Sequence, residues 1–579
     1  MKQNSKVTGS EIICKTLENL GIEAIFGLPG THNTQFYHSL HHSSIQPITP
    51  TSELAASFMA NGYYRSSGKI AAITTIPGPG FTYALSGIAE AFLDSVPMLV
   101  IVGSPDMIPG KKYQHQAIDQ KSMIKPIVKA IYEINNVVNI QETLNKAFLS
   151  AKNEEPGPVY IEIDSSVYSE TYLFEKNLIR HYTPFEIASS QKLIEKAIRN
   201  ILESQRILFY LGQGANHISN EIREIAELFN SPVLTTSSGR GILPEDHPLL
   251  FPYNFVVRGG GKAMQEMIIS SDLIVVLGCK FSFNGSGAFD FNFPKEKLIH
   301  IDSSSAVLNA NYPAKIAIQA DVYDFITELH VKCKSYDKKN KRWPTNELVR
   351  WRKNAVDEKN NDPAIESYFK GISTHHPAAF FEKLQKHLPE NPIIVTDSGQ
   401  HQMLSRKYYK VPNVRGFIIP SNFQSMGFAI PAALGAKVAN PDSTVVVIIG
   451  DGGFNISATE LLTAISEKLT LKVIIFNDNS LSLIKINQIN KFGFSYSTNV
   501  LNPDYEKLAE SFKMKYVKVS DKNEEEFSLN LKSSSMALFE VSLTDSMKFY
   551  KYRIKHIVMR LLGRKLVDQI KGLIGNDNK

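Results

Sequence analysis

The sequence predicts an α/β fold of three open parallel-sheet domains, covered by helices on both faces, followed by a C-terminal basic helix. Three observations carry this reading. Short β-branched runs alternate with longer stretches of helical period, the pattern of buried parallel strands joined by right-handed crossovers. Polar stretches at 165–189 and at 334–361, the second rich in Lys and Asn, divide the chain into blocks. At 579 residues the chain also exceeds what a single hydrophobic core organises.

In order, the strand-like runs are 70–75, 98–102 and 159–163 in the first block, 206–210 and 273–277 in the second, and 393–396, 444–449 and 472–476 in the third. The predicted domains are 1–180, 190–335 and 365–545, with a tail over 546–579. In that tail Ile554, Ile557, Val558, Leu561, Leu562, Leu566 and Ile570 recur at roughly helical spacing among basic residues. This predicts an amphipathic helix that either packs on the third domain or docks on a membrane surface. No internal repeat is visible, although the first and third blocks can still share a fold.

Apolar residues are 43% of the chain and charged residues 21%, ordinary globular usage that excludes disordered, collagen-like and low-complexity classes. The 63 basic and 57 acidic residues leave a formal charge of +6, too small to argue for nucleic acid but suited to phosphate-bearing ligands. Cys14, Cys279 and Cys333 have no paired spacing, which argues against disulfides and a cysteine metal site. With neither a signal-peptide pattern nor a run of the ~18 apolar residues that span a bilayer, a cytoplasmic protein is expected.

The sharpest motif lies in the third block. One predicted strand ends at Gly450-Asp451-Gly452-Gly453 and the next at Asn477-Asp478, so the carboxylates of Asp451 and Asp478 stand at neighbouring strand C-termini. Open parallel sheets bind their ligands there. Gly450, Gly452 and Gly453 let the backbone approach a phosphate, and a following helix capped by Ser457 would offer N–H groups to an anion. Two hard oxygen ligands, completed by phosphate oxygens and water, describe an Mg²⁺ site. Alone, the glycine-flanked Asp would read as a tight turn; the second carboxylate reverses that reading.

These residues resemble the cofactor motif of the thiamine-diphosphate enzymes, in which an Asp, a later Asn and a main-chain carbonyl hold the metal. The resemblance implies Asp451, Asp478 and the Ser480 carbonyl as ligands, with Asp478 replacing the usual Asn, as in catabolic acetolactate synthases. Thr51-Ser52-Glu53 is similar to the element whose Glu hydrogen-bonds the aminopyrimidine of thiamine, with Ser52 where a His usually stands. Such a Glu acts as a proton switch. From the residues alone, Ser52 is a helix cap and Glu53 a first-turn carboxylate; the two readings are compatible.

The likeness continues through Phe26-Gly27-Leu28-Pro29-Gly30, Gly78-Pro79-Gly80, 92–97 and 421–427. It implies Gly30 beside the cofactor, Met426 beneath the thiazolium, the Gln424 carbonyl at the pyrimidine amino group, and Gln400 and His401 at the diphosphate. His32 matches an active-site His of benzaldehyde lyase, and His115 or Gln116 a catalytic Gln of the carboligases, with the register open by one residue.

The resemblance is strongest to the acetolactate synthase-like group, which decarboxylates a 2-oxo acid, pyruvate, and transfers the two-carbon unit to a carbonyl acceptor. It implies thiamine diphosphate, Mg²⁺ and a homodimer or homotetramer in which Glu53 faces the Asp451 of another subunit. Asn487 stands where acetohydroxyacid synthases have a Trp that selects the second substrate. The run 255–261 lacks the signature associated with FAD, so FAD is left open but not expected. Two alternatives remain: a simple 2-oxo acid decarboxylase, and a non-catalytic binding or regulatory homologue.

Overall fold

The computed structural model describes residues 6–105, 107–174, 190–252, 261–334, 343–361, 368–372 and 376–544. It contains three parallel sheets and a two-stranded antiparallel ribbon, Lys6–Thr8 paired with Thr171–Leu173. The α/β class expected from the sequence is the one observed. The predicted tail helix and, in the two predicted domain junctions, residues 175–189 and 335–342 lie outside the described residues, while Thr345–Asn360 in the second junction is a helix.

The first sheet runs Gln46–Ile48, Ala24–Gly27, Ala71–Thr75, Met98–Gly103, Pro158–Ile163, Ile131–Ile134. The third runs Phe417–Ile418, Ile393–Thr396, Val445–Gly450, Lys472–Asn477, Ala537–Ser542, Lys515–Lys518. Numbered within each sheet, both orders are 2-1-3-4-6-5, so these two blocks share a topology although no repeat is legible in their sequences. The central sheet, Val233–Thr235, Ile207–Leu211, Leu273–Leu277, Leu298–Asp302, Ile316–Gln319, follows the order 2-1-3-4-5. In all three, strand order reverses between the first and third strands, which opens a crevice at their C-terminal ends.

The runs read as strands become inner strands buried on both faces, as in Met98–Gly103 and Val445–Gly450. The strands not foreseen are short or carry polar residues, such as Lys515–Lys518 and Gln46–Ile48. At a sheet edge one face meets solvent, and a continuous apolar run is not required.

Helix α1, Glu53–Ser67, begins under the Ser52 cap, whose Oγ accepts from the Ala55 N–H at 3.3 Å, and ends at Gly68, which adopts φ 80°. It is buried almost all round between α2, Pro79–Leu93, and α3, Ala429–Ala439, and its small residues permit that crowding. The first and third sheets therefore share one core, with Phe58 meeting Phe428 edge to face at 5.3 Å.

At this crossing a Cβ on Gly62 would strike the Ala432 carbonyl, and one on Gly435 the Met59 carbonyl. Because the obstacles are backbone, Gly62→Val is expected to cost roughly 3 kcal/mol, the upper end of overpacking, and to lower the first thermal transition. Calorimetry of the full chain checks this; an unchanged transition would mean that the helices separate cheaply. No helix among the described residues is long and apolar enough to cross a membrane.

Candidate active site

Strand Val445–Gly450 delivers Asp451 directly into α4, Asp451–Ser457, at the crevice of the third sheet. The helix starts at Asp451 with Gly450 as its cap position. Ser457 is its last residue, with its hydroxyl turned back to the Gly453 carbonyl, so the cap expected from the sequence is corrected. Asp451 is 3% exposed. Its Oδ1 accepts from the Gly452 N–H at 2.8 Å and its Oδ2 from Asn502 Nδ2 at 2.9 Å. The same Asn502 nitrogen reaches Asn477 Oδ1 and Asn479 Oδ1, both at 3.0 Å, and so ties the two strand ends together.

Asp478 follows the neighbouring strand, its Oδ1 accepting from the Ser480 N–H at 3.1 Å and its Oδ2 from the Ser482 hydroxyl. Burial and then the Asp451 charge push its carboxyl up to about 7, and burial raises that of Asp451. Two partly desolvated carboxylates thus repel each other at one point, and a divalent cation is what relieves that repulsion. The Ser480 carbonyl accepts from the Ser482 N–H at 2.9 Å and from the Ser482 hydroxyl at 3.4 Å. Among the described residues no group of three or more His, Cys, Asp or Glu is placed to hold a metal ion, so a cation here draws its remaining ligands from phosphate, water or carbonyl oxygen.

His401 stacks beneath this end. Cβ atoms at Gly399 and Gly450 would lie 2.7 and 2.9 Å from its ring, so these glycines make room for it at the crevice. Burial lowers its pKa to about 3, which keeps the imidazole neutral, and its Nε2 is buried without a partner. The side-chain oxygen of Gln400 is likewise buried and unpartnered. Above them the Met426 methyl lies 3.3 Å from where a Gly452 Cβ would be. Gln424 holds φ 65°, with its side chain between Ser398 and the Ser421 carbonyl.

Glu53 occupies the other crevice, at the first turn of α1. It is 9% exposed, yet its carboxylate takes no hydrogen bond from the described residues. A Cβ on Gly80 would lie 2.7 Å from its Oε1, so the bare Gly78-Pro79-Gly80 turn is what admits it. Gly30 passes close to Ile76 and is tied by its N–H to Asn33 at 2.7 Å. His32 beside it is half-buried, with Nδ1 unpartnered.

Gln116 adopts φ 55°, packs its backbone and Cβ against Gly78 and buries its side-chain oxygen without a partner, whereas His115 is exposed. The structure therefore brings Gln116 to the Gly78–Gly80 turn and leaves His115 outside. Gln120, which sequence reasoning missed, holds that turn through the Gly78 N–H at 2.9 Å while contacting Tyr160 and Glu162. Neither Gln120 nor Asn502 sits in a motif, and nothing in the sequence singles them out.

Within one chain the two clusters are apart. Glu53 meets the start of α2 at Gly80, while Ser425 meets Glu90 near its end, at 2.9 Å. At helical rise those levels are about 15 Å apart. A cavity of about 1080 Å³ lies at the C-terminal edge of the central sheet beside Gly212, Gly278 and Lys280, and reaches Asp94, Ser421 and Asn422. The run 255–260, relevant to FAD, lies outside the described residues.

The unpartnered Glu53 carboxylate, the repelling Asp451–Asp478 pair and the orphaned atoms of Gln400 and His401 fit thiamine diphosphate with a divalent cation. Comparison with known proteins agrees on the cofactor. Models of the N-terminal, central and C-terminal domains of thiamine pyrophosphate enzymes match residues 7–123, 194–329 and 397–541. The chain is 33% identical over 524 residues to a probable acetolactate synthase large subunit of Methanocaldococcus jannaschii, covering 88% of this chain and 86% of that protein. It is 30% identical over 529 residues to the acetolactate synthase large subunit of Lactococcus lactis, covering 90% of each. Against the isozyme 1 large subunit of Escherichia coli the identity is 30% over 482 residues, 83% of each chain.

Proposed function

Because the chain belongs to the thiamine pyrophosphate enzymes and is acetolactate synthase-like, we propose that it decarboxylates pyruvate and joins the two-carbon unit to a second carbonyl compound. The observation that carries this reading is Glu53, an almost buried carboxylate that takes no hydrogen bond from the described residues, set against a bare glycine turn.

Asp451, Asp478 and the Ser480 carbonyl would hold Mg²⁺, and Gln400 and His401 would face the diphosphate. Thiamine diphosphate, when bound, supplies the nucleophilic carbon and the electron sink that decarboxylation of a 2-oxo acid requires. Glu53 holds a proton at the aminopyrimidine nitrogen and so sets the protonation of the ring. Met426 and the Gln424 carbonyl would face the thiazolium and the pyrimidine amino group. Gln116, packed on Gly78, and His32, packed on Gly103, would orient or protonate the acceptor oxygen; we assign the role to Gln116 rather than His115 because its side-chain oxygen is buried and His115 is exposed.

The separation of the Glu53 cluster from the 421–427 segment supports a homodimer or a homotetramer built from such dimers. A second copy would bring its Asp451 cluster against the first copy's Glu53. Cytoplasmic residence accords with this reading, and FAD forms no part of it.

Incubation with thiamine diphosphate, Mg²⁺ and pyruvate is expected to release CO₂ and give acetolactate by NMR, with chelation of the metal stopping both. Acetaldehyde as the sole product would replace carboligation by simple decarboxylation. Failure to bind the cofactor would favour the non-catalytic homologue.

A further inference from the structure

The segment 421–427 has an uncommon backbone. Gln424 and Gly427 both hold positive φ, 65° and 79°, so its shape is not one that the local chain adopts by preference. Carboxylates hold it instead. Asp94, 3% exposed at the end of α2, takes the Ser421 N–H at 2.9 Å, the Asn422 N–H at 3.0 Å and Asn422 Nδ2 at 2.9 Å, with Arg65 Nη1 at 3.2 Å. Asp397 takes the Gly427 N–H at 2.8 Å.

Between these anchors stands Glu90, fully buried one helical turn before Asp94. Its Oε2 accepts from the Ser425 N–H at 2.9 Å, while its Oε1 and the Ser425 hydroxyl meet no hydrogen-bond partner among the described residues. Ser425 is the residue between Gln424 and Met426.

We propose that Glu90 is a positioning residue: its bond to the Ser425 N–H sets the height at which the Gln424 backbone and the Met426 side chain meet the cofactor. This rests on the cofactor reading given above for those two residues. Asp94 fixes where the segment begins and Asp397 where it ends; in the middle the Gln424 side chain is tied to Ser398 and the Ser421 carbonyl, and the Ser425 backbone is held by Glu90. Burial and the neighbouring Asp94 charge push the Glu90 carboxyl up to about 7, so a neutral acceptor serves at this position as well as an anion. What the position needs is an oxygen at that reach.

The discriminating pair is Glu90→Gln against Glu90→Asp. Gln keeps the oxygen in place and removes the charge. Asp keeps the charge and withdraws the oxygen by one carbon–carbon bond, about 1.5 Å, beyond hydrogen-bond reach of Ser425. Three readouts apply: amide hydrogen exchange over 421–427 in the protein without cofactor, the thiamine diphosphate dissociation constant with Mg²⁺, and kcat beside KM on pyruvate.

Glu90→Gln is expected to stay within about threefold of wild type in all three. Glu90→Asp is expected to exchange at least tenfold faster at Ser425, to bind cofactor about tenfold more weakly and to lose about tenfold in kcat with little change in KM. If Asp matches wild type and Gln does not, charge rather than reach matters and the proposal is overturned. Equal losses in both, tracking a lower melting temperature, would reduce Glu90 to a structural role and overturn it too. The exchange and binding readouts need no turnover. A wild-type protein that binds cofactor but does not consume pyruvate would therefore count against the proposed reaction and not against this inference.

Discussion

Replacing Glu53 by Gln is expected to lower CO₂ release from pyruvate by roughly 10³-fold while the fold survives. The magnitude follows from what the residue does. A general acid or base placed at a reacting system is worth on the order of 10² to 10⁴ in rate, and the amide cannot exchange a proton. The fold should survive because the carboxylate, in a residue 9% exposed, takes no hydrogen bond from the described residues. The Ser52 cap that starts α1 is untouched.

Gln is nearly isosteric beside Gly80, so thiamine diphosphate should still bind within a few fold. Stopped assays with labelled pyruvate, run beside a cofactor titration, check both halves. A kcat within tenfold of wild type would remove Glu53 from the chemistry. A kcat loss matched by an equal loss of cofactor affinity would make it a binding residue only.

Substituting Asn at Asp451 or Asp478 should produce the second large effect, with opposite signs in two measurements. With Asp451→Asn, cofactor affinity at fixed Mg²⁺ should fall by roughly 100-fold or more, since outer-sphere partners of metal ligands alone account for 10–100-fold; Asp478→Asn keeps an oxygen ligand and should lose less. Without metal, Asp478→Asn should raise the melting temperature. The Asp478 carboxyl is pushed up by burial and by Asp451, so at neutral pH its ionised form costs stability in the empty site, and the amide removes that cost.

A purely structural Asp478 would instead show a loss of stability. The Asp451→Asn protein has a further use. Mixed with Glu53→Gln and allowed to exchange subunits, two nearly inactive proteins should regain activity if the clusters pair across copies, because one site of each mixed dimer is then intact. Absence of complementation in a demonstrably mixed dimer would place the whole site within a single chain.

Much of this was legible because it depends on local chemistry. Buried parallel strands must be continuously apolar, so 98–102 or 472–476 announces itself. Asp451 and Asp478 were readable because ligands gather at strand C-termini, and the sequence places both there. The Ser52–Glu53 helix start was equally plain, as a polar cap followed by a carboxylate that the helix dipole favours.

Other features had no local signature. The Ser457 cap was misread because a Gly-Asp start needs no Ser. Gln116 could not be separated from His115 until the backbone turned at φ 55° and buried one side chain and not the other.

By itself the sequence determined the three-sheet class and the placing of Asp451 and Asp478 at neighbouring strand ends, since both rest on residue type and spacing within a few dozen positions; Glu53 as the activating carboxylate follows from the family resemblance and is our proposal. Tertiary structure decided what depends on contacts between distant segments. Asn502 ties two strand ends together, Gln120 holds the Gly78 turn, Glu90 grips Ser425 from 335 positions away, and Glu53 stands far from its own chain's 421–427 segment. A hydrogen bond between remote residues leaves no periodicity and no motif behind, because either partner alone reads as an ordinary polar residue until the fold brings it to the other.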